Sequence, residues 1–509
     1  MFLLLSLSSI LWLQITAAMV VRGIPHNGEC HREARVAAVR TPTAVKFVDG
    51  KTYVNKGLVG FGSIPSSLRE STGDTLGGIG SAIAIRPGSW AKNANGSYAG
   101  VLTVSPDRGY NVETTIDYQS RSHDISFVLT PYEGADSLSY EDAQKTLRLT
   151  YEGTTMRRER GGRNTTGLDA KGVRSAGEYA DPAMPIAAKT DDRLSLDIEG
   201  IAMNSDGSYW ISDEYGPNVY LFSPSGDLLH TIQPPQAVLP RDAQGQLNFT
   251  SAVDPVSGRQ ENQGFEGLTI IRGSEGSTRL YAILQSATMQ DGGADKSTAR
   301  YTRLLGWDVS SVLEVPAGAH ETKLVEEYIV PLPLSSKGKA QGVNELLVLG
   351  NDGVFLVLTR DGDGKGGDDA KSKHRQIDLI SIKNATNIAN TGFDSPDHPA
   401  APKGVLDAAI VPAVYGSFVN MIEPDDLSRF GVHNGKPDDK TLLAAKWEGL
   451  AIAPARDNAF PDDWFLFAAA DNDFLSTKGV SLGVPFNAGI DVDNQFLVWR
   501  VTIPGLRVD

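Results

Sequence analysis

Short apolar runs alternate with polar turns along most of the chain, and four of the runs open on the same acidic pattern. These are Asp197-Ile198-Glu199-Gly200-Ile201, Gly264-Phe265-Glu266-Gly267-Leu268, Val343-Asn344-Glu345-Leu346-Leu347 and Lys446-Trp447-Glu448-Gly449-Leu450. Each is followed, after a turn, by a second apolar run with a polar end, at Ser212-Asp213-Glu214-Tyr215, Leu284-Gln285-Ser286, Thr359-Arg360-Asp361 and Ala470-Asp471-Asn472-Asp473. Runs of this length bounded by Gly, Asp, Asn and Ser predict strands joined as hairpins, and no sustained helical period competes with them. In an antiparallel pair the start of the first strand lies beside the end of the second, about 4.8 Å away. Both polar clusters of every repeat are therefore expected at one edge of their sheet, and radial repetition gathers them around one mouth.

A further unit passes through Gly77-Gly78-Ile79-Gly80-Ser81 and ends its second run at Asp107-Arg108-Gly109; with 114–118 and 125–130 it supplies four strands, the size of one propeller blade. Asp206-Gly207 and Ser225-Gly226 mark hairpin turns in the next unit. The interval between acidic motifs widens from 67 to 79 to 103 residues, with insertions at 291–298, 361–373 and 389–403. The expected fold class is all-β: a single propeller of six four-stranded blades, five of them recognisable, over residues 76–505. Residues 19–75 are expected to give an N-terminal segment and a strand that closes the ring with 496–503. A β-solenoid or two packed sandwiches would also use such hairpins, but neither needs acidic residues at the same end of every repeat. Residues 150–195, with Arg157-Arg158-Glu159-Arg160, read as a long solvated excursion between blades.

Composition narrows the class. With 40% hydrophobic residues, 53 Gly and 27 Pro in 509 residues, the chain has the material for a core and for many tight turns. A net charge of -15 disfavours attraction to phosphate backbones and suits a cation-seeking surface. Residues 1–18, apolar and ending in Thr16-Ala17-Ala18, read as a secretory signal peptide, and no later segment is long and apolar enough to span a bilayer. Sequons at Asn95, Asn164, Asn248 and Asn384 fit export with N-glycosylation. Cys30 is the only cysteine, which excludes an intramolecular disulfide, and its spacing from His26 and His31 matches no standard zinc pattern.

In order along the chain, Gly77-Gly78-Ile79-Gly80-Ser81, Asp107-Arg108-Gly109, Asp197-Ile198-Glu199-Gly200, Asp213-Glu214-Tyr215-Gly216-Pro217, Asn262-Gln263-Gly264-Phe265-Glu266-Gly267-Leu268 and Asp471-Asn472-Asp473-Phe474 together resemble the phytase-like domain family, also described as esterase-like activity of phytase. The resemblance spans nearly the whole mature chain. It implies a secreted propeller that hydrolyses phosphate or carboxylic esters, and it carries over no catalytic residue. Thr359-Arg360 stands where many members have Glu-Arg, and Gln285 where an acidic residue is expected, so a metal site here is expected to be lopsided.

Hard cations such as calcium take about six to eight oxygen ligands, which carboxylates from several strands can supply. The candidate ligands are Glu199, Asp213, Glu214, Glu266, Glu345, Glu448 and Asp471. Arg108, Arg360 and Lys446 stand at the corresponding motif ends and are the candidate groups for substrate oxygens. The competing reading for each Glu is structural: it accepts backbone hydrogen bonds between blades, and the Arg residues neutralise it. Asp361-Gly362-Asp363-Gly364-Lys365 resembles a calcium loop but fails the EF-hand pattern, with Lys365 fifth and Ser372 twelfth. Gly479-Val480-Ser481-Leu482-Gly483 matches a serine-hydrolase elbow, but no convincing helix follows it.

The leading expectation is a monomeric secreted hydrolase of small-molecule esters or phosphate esters, with a divalent cation, calcium, as cofactor. Neither nucleic acid nor, after signal removal, membrane is an expected partner. The alternative is a non-catalytic propeller that binds a ligand or partner and uses calcium for structure.

Overall fold

A computed structural model describes residues 42–507 except 48–49, 112, 176–180, 274–275 and 315–321. The expected signal peptide and the Cys30, His26 and His31 group lie outside the described residues. Hairpins form where the polar turns predict them. In the unit that begins at Ile198, Gly207 takes φ 86° and Asp206 Oδ1 accepts the Ser208 amide at 2.9 Å, which reverses the chain between Ile198–Met203 and Tyr209–Asp213. The second strand is buried on both faces. Trp210 packs toward the following unit, while Tyr209 and Ile211 pack toward the preceding one.

Five such sheets follow one another. Blade 1 holds Ala82–Ile85, Tyr98–Ser105, Arg121–Leu129 and Leu147–Met156. Blade 2 holds Ile198–Met203, Tyr209–Asp213, Val219–Phe222 and Leu228–Ile232, and blade 3 holds Phe265–Arg272, Thr278–Leu284, Tyr301–Asp308 and Lys323–Pro331. Blade 4 holds Gly342–Val348, Val354–Arg360, Arg375–Ser381 and Val414–Asn420. Blade 5 combines Lys446–Pro454, Asp463–Asp471 and Asn494–Thr502 with two strands from the other end of the chain, Thr52–Ile64 and Thr43–Lys46. The ring-closing strand is thus the one the sequence suggests, paired from Val54 opposite Thr502 to Ile64 opposite Asn494.

The first strand of each blade touches its counterparts in the neighbouring blades, in the order 1-2-3-4-5 and back to 1. Five apolar layers fill the five seams, with Trp210 and Trp307 between blades 2 and 3 and Trp447 and Trp499 between blades 4 and 5. Six blades are expected from the sequence; among the described residues the cycle of contacts passes through five sheets. The remaining strand material between blades 1 and 2 is a three-stranded sheet, Gly172–Arg174, Met184–Ala188 and Asp191–Leu194. It contributes Met184 and Leu194 to the seam with blade 2 but no strand to the inner ring.

Other readings change in detail. Residues 114–118 are not a strand, and the outer strand of blade 1 is Leu147–Met156, inside what reads as an excursion. The basic run beyond it is not simply solvated. Arg157 is buried and donates to Ser105 Oγ, Ser120 Oγ and the Arg121 carbonyl, and Arg160 pairs with Asp181 at 2.8 Å. The Asp361 carboxylate accepts from Ser372 Oγ, the Lys373 amide and the His374 amide, so it closes its own loop. Gly479–Ser481 pairs with Val484–Phe486 as a hairpin, which is not the strand–turn–helix a nucleophile elbow requires.

Candidate functional site

The recurring Glu residues sit on irregularities of pairing. Ile198 faces Asp213 and Gly200 faces Ser212, which leaves Glu199 as the extra residue of a bulge. Glu448 is extra in the same way between Trp447 and Gly449, and Glu266-Gly267 lie in the irregular step between Phe265 and Leu268. A bulge re-aims the side chain it carries. In blade 4 the extra residue is Asn344, so Glu345 falls one position later, where the other blades have Gly200, Gly267 and Gly449. Those positions abut the next inner strand: a Cβ on Gly267 would lie 2.4 Å from the Leu346 nitrogen. Glu345 accordingly turns into the seams. Its Oε1 accepts the Leu346 amide at 2.8 Å and the Leu268 amide at 3.1 Å.

Glu199, Glu214, Glu266 and Glu448 converge, with Arg360 and Lys446, on a cavity of about 440 Å³. The rest of its lining is polar: Ser251, Asp254 and Gln260 to Gln263 from the connection between blades 2 and 3, and Gln285 from the end of the second strand of blade 3. Asp197, Glu199 and Glu214 each place an oxygen within 4.8 Å of the others'. Asp197 Oδ1, Glu214 Oε1, Glu266 Oε2 and Glu448 Oε2 are buried and have no hydrogen-bond partner among the described residues. Burial pushes the carboxyls of Glu199, Glu214 and Glu266 well above the usual range, and their mutual repulsion pushes further in the same direction. Without a counter-charge, this site favours protonated acids. Gln285 donates to Glu266 Oε1, and the Arg360 guanidinium pairs with Glu448 while its Nε keeps no partner.

Asp107, Asp471 and Asp473 form an adjoining acidic group. Lys446 neutralises part of it, with Nζ 2.6 Å from Asp471 and 2.8 Å from Asp473. Burial raises the Asp471 carboxyl to about 7, against the pull of Lys446. Besides Glu345, two more of the expected residues serve the scaffold instead of lining the cavity. Asp213 accepts the amides of Asp197, Tyr215 and Gly216 and so closes the turn after its strand, while Arg108 is held by Asp197 at 2.9 Å and by Asn262 Oδ1 at 2.6 Å. Sequence reasoning missed Asp197, Asp107 and Asp473 as site residues, although the first stands two positions before Glu199 in the repeated motif. It also missed the rim at 251–263, which has no periodic signal. Of the sequons, Asn95, Asn164 and Asn384 are exposed and Asn248 is half-buried.

Among the described residues no helix is long and apolar enough to cross a membrane. A curated relative from Arthroderma benhamiae, described as an uncharacterized secreted protein, is 36% identical over 505 residues, covering 91% of this chain and 94% of its own. Among solved structures, a thermostable family-43 glycoside hydrolase superposes with a TM-score of 0.29 at 10% identity, over 87% of this chain and 98% of its own. The Malassezia sympodialis allergen Mala s 1 does so with a TM-score of 0.28 at 12% identity, over 92% and 96%. The family model for esterase-like activity of phytase matches residues 96–474, from blade 1 to the acidic end of the second strand of blade 5. With most of the ring inside that match, the chain belongs to the phytase-like family.

Proposed function

We propose that the protein is a secreted hydrolase of phosphate or carboxylic esters that works in the acidic cavity with a divalent cation, calcium, held by Asp197, Glu199 and Glu214. The observation that carries this reading is the set of three carboxyls from one blade within 4.8 Å of one another, two of which keep a buried oxygen without a protein partner. Hard oxygen donors in that number suit calcium, with Glu266 and Glu448 at the same cavity to complete the charge balance. The ion, when bound, supplies positive charge that polarises an ester or phosphoryl oxygen and acidifies a coordinated water. The chain's own residues bind and orient. Arg360, with an uncommitted Nε, and Lys446 meet at Glu448 and offer donors to substrate oxygens, while Gln285 fixes the Glu266 carboxyl. A cavity lined throughout by polar side chains favours phosphate esters of hydroxyl-rich alcohols over long acyl esters.

The test is a hydrolysis screen of phosphomonoesters, including inositol phosphates, and short acyl esters, each with calcium and with chelator. Calcium-dependent phosphate release is the expected result; turnover unaffected by chelator removes the metal from the reading. The second reading, a non-catalytic propeller with structural calcium, draws on Asp213 and Glu345, whose carboxylates are engaged with backbone amides. Absence of turnover on every ester would favour it.

Export is supported by the secreted relative and the apolar N-terminus. Intact-mass measurement of secreted protein should show cleavage close to Ala18 and glycans at the exposed Asn95, Asn164 or Asn384; a retained Met1 would contradict export by a cleaved signal.

A further inference from the structure

Away from the cavity, the 389–403 insertion of blade 4 folds back against blade 3 over a buried charge cluster. One guanidinium, Arg303, serves three carboxyls there. Its Nε donates to Asp291 Oδ2 at 2.9 Å and its Nη1 to Glu327 Oε1 at 2.6 Å, and Nη1 also reaches the Phe393 carbonyl in the insertion at 3.0 Å. Arg303 and Glu327 are 1% and 0% exposed. The third carboxyl is Asp394 in the insertion, which follows Phe393 and faces the Glu327 carboxyl. Glu327 Oε2 and Asp394 Oδ1 have no conventional donor among the described residues. Two carboxyl groups can bond each other only if one carries a proton, because an ionised pair has acceptors alone.

The cluster also reaches the cavity rim. The Asp394 carbonyl accepts the Ala237 amide at 2.8 Å, the Ala237 carbonyl accepts Gln290 Nε2 at 2.6 Å, and Gln290 Oε1 accepts the Gly258 amide at 2.9 Å. Ala237 and Gly258 belong to the connection between blades 2 and 3 that supplies Ser251, Asp254 and Gln260 to Gln263 to the cavity. Asp291 fastens the other end of the insertion by accepting the Ala400 and Ala401 amides.

We propose that Glu327 and Asp394 share one proton, and that this proton latches the blade 4 insertion to blade 3 and, through Ala237, to the rim of the acidic cavity. With the proton in place, one Arg faces two negative charges; without it, three, with Arg303, Asp291 and Glu327 all buried. Arg303 and Asp291 are the charged groups facing the pair among the described residues. Burial raises the Glu327 carboxyl to about 7, so it is raised relative to an unfolded chain near 4.5. The latch is therefore complete at acidic pH and weakens as pH rises through about 7. This inference does not depend on hydrolysis, because its readout is local opening.

Hydrogen exchange on the full chain, corrected for the intrinsic pH dependence of exchange, should show protection in 386–401 and 234–263 falling about tenfold between pH 6 and pH 8, one pH unit on either side of the midpoint. Glu327→Gln and Asp394→Asn each put a permanent amide donor in place of the proton and should hold protection constant over that range. The inference is overturned if wild-type protection in these segments is flat with pH, or if both variants keep the wild-type pH dependence. If one variant does not fold, the other decides.

Discussion

Glu214→Gln is expected to weaken calcium binding by about 100-fold or more and to reduce ester hydrolysis in step with it. Even residues that only orient metal ligands cost 10–100-fold when replaced, and Glu214 is placed here as a ligand. The substitution suits the fold. In the absence of an ion the buried Glu214 carboxyl is driven toward its neutral form, which a glutamine imitates in size and charge. The ion-free variant should melt near the ion-free parent, whereas the gain in Tm that calcium gives the parent should vanish. Because the ion displaces protons from raised carboxyls, affinity in the parent should rise with pH and fall in acid. Calorimetric titration at several pH values and rates on the same preparations check this. Normal calcium affinity in Glu214→Gln would remove the residue from the ion site.

Glu345→Ala has the second large expected effect, and it is on stability. This carboxyl accepts backbone amides from Leu268 and Leu346, one in blade 3 and one in blade 4. Truncation leaves those buried donors without an acceptor, at about 3–5 kcal/mol in total. Glu345→Gln retains a carbonyl acceptor and should cost less than half of that. Urea denaturation in the presence of chelator measures both. Calcium affinity of the folded fraction should stay at the parent value, which separates this brace from the ligands of blade 2.

Glu345 also shows where sequence reasoning stops. The recurrence of an acidic residue at the head of four strands predicts convergence of Glu199, Glu266, Glu345 and Glu448; three of them, Glu199, Glu266 and Glu448, meet at one cavity, together with Glu214 from the end of a second strand. Aligned by letters, Glu345 is equivalent to Glu199. The pairing puts the bulge of blade 4 at Asn344, and a shift of one residue sends the carboxyl into the seam. Register is a property of two strands at once, so no single run of residues reveals it. Arg108 follows the same logic: its position at a motif end is legible, but its engagement by Asn262 depends on a connection 154 residues away. The expected blade count differs from the cycle of five sheets among the described residues for another reason. Length and insertions suggest room for a sixth sheet, while closure depends on how many seams the inner strands can fill.

The strand that seals the ring is made first and used last. During synthesis Thr52–Ile64 leaves the ribosome more than four hundred residues before its partner Asn494–Thr502, and until then it has no edge to join. An unpaired strand waiting that long is a template for the wrong neighbour until the last strand arrives. Once sealed, the first and last of the described strands sit in one sheet, and fraying of either is opposed by the other. A truncation that removes only the last strand should therefore release the beginning of the chain as well, which makes completeness of the C-terminus a checkpoint for the whole ring.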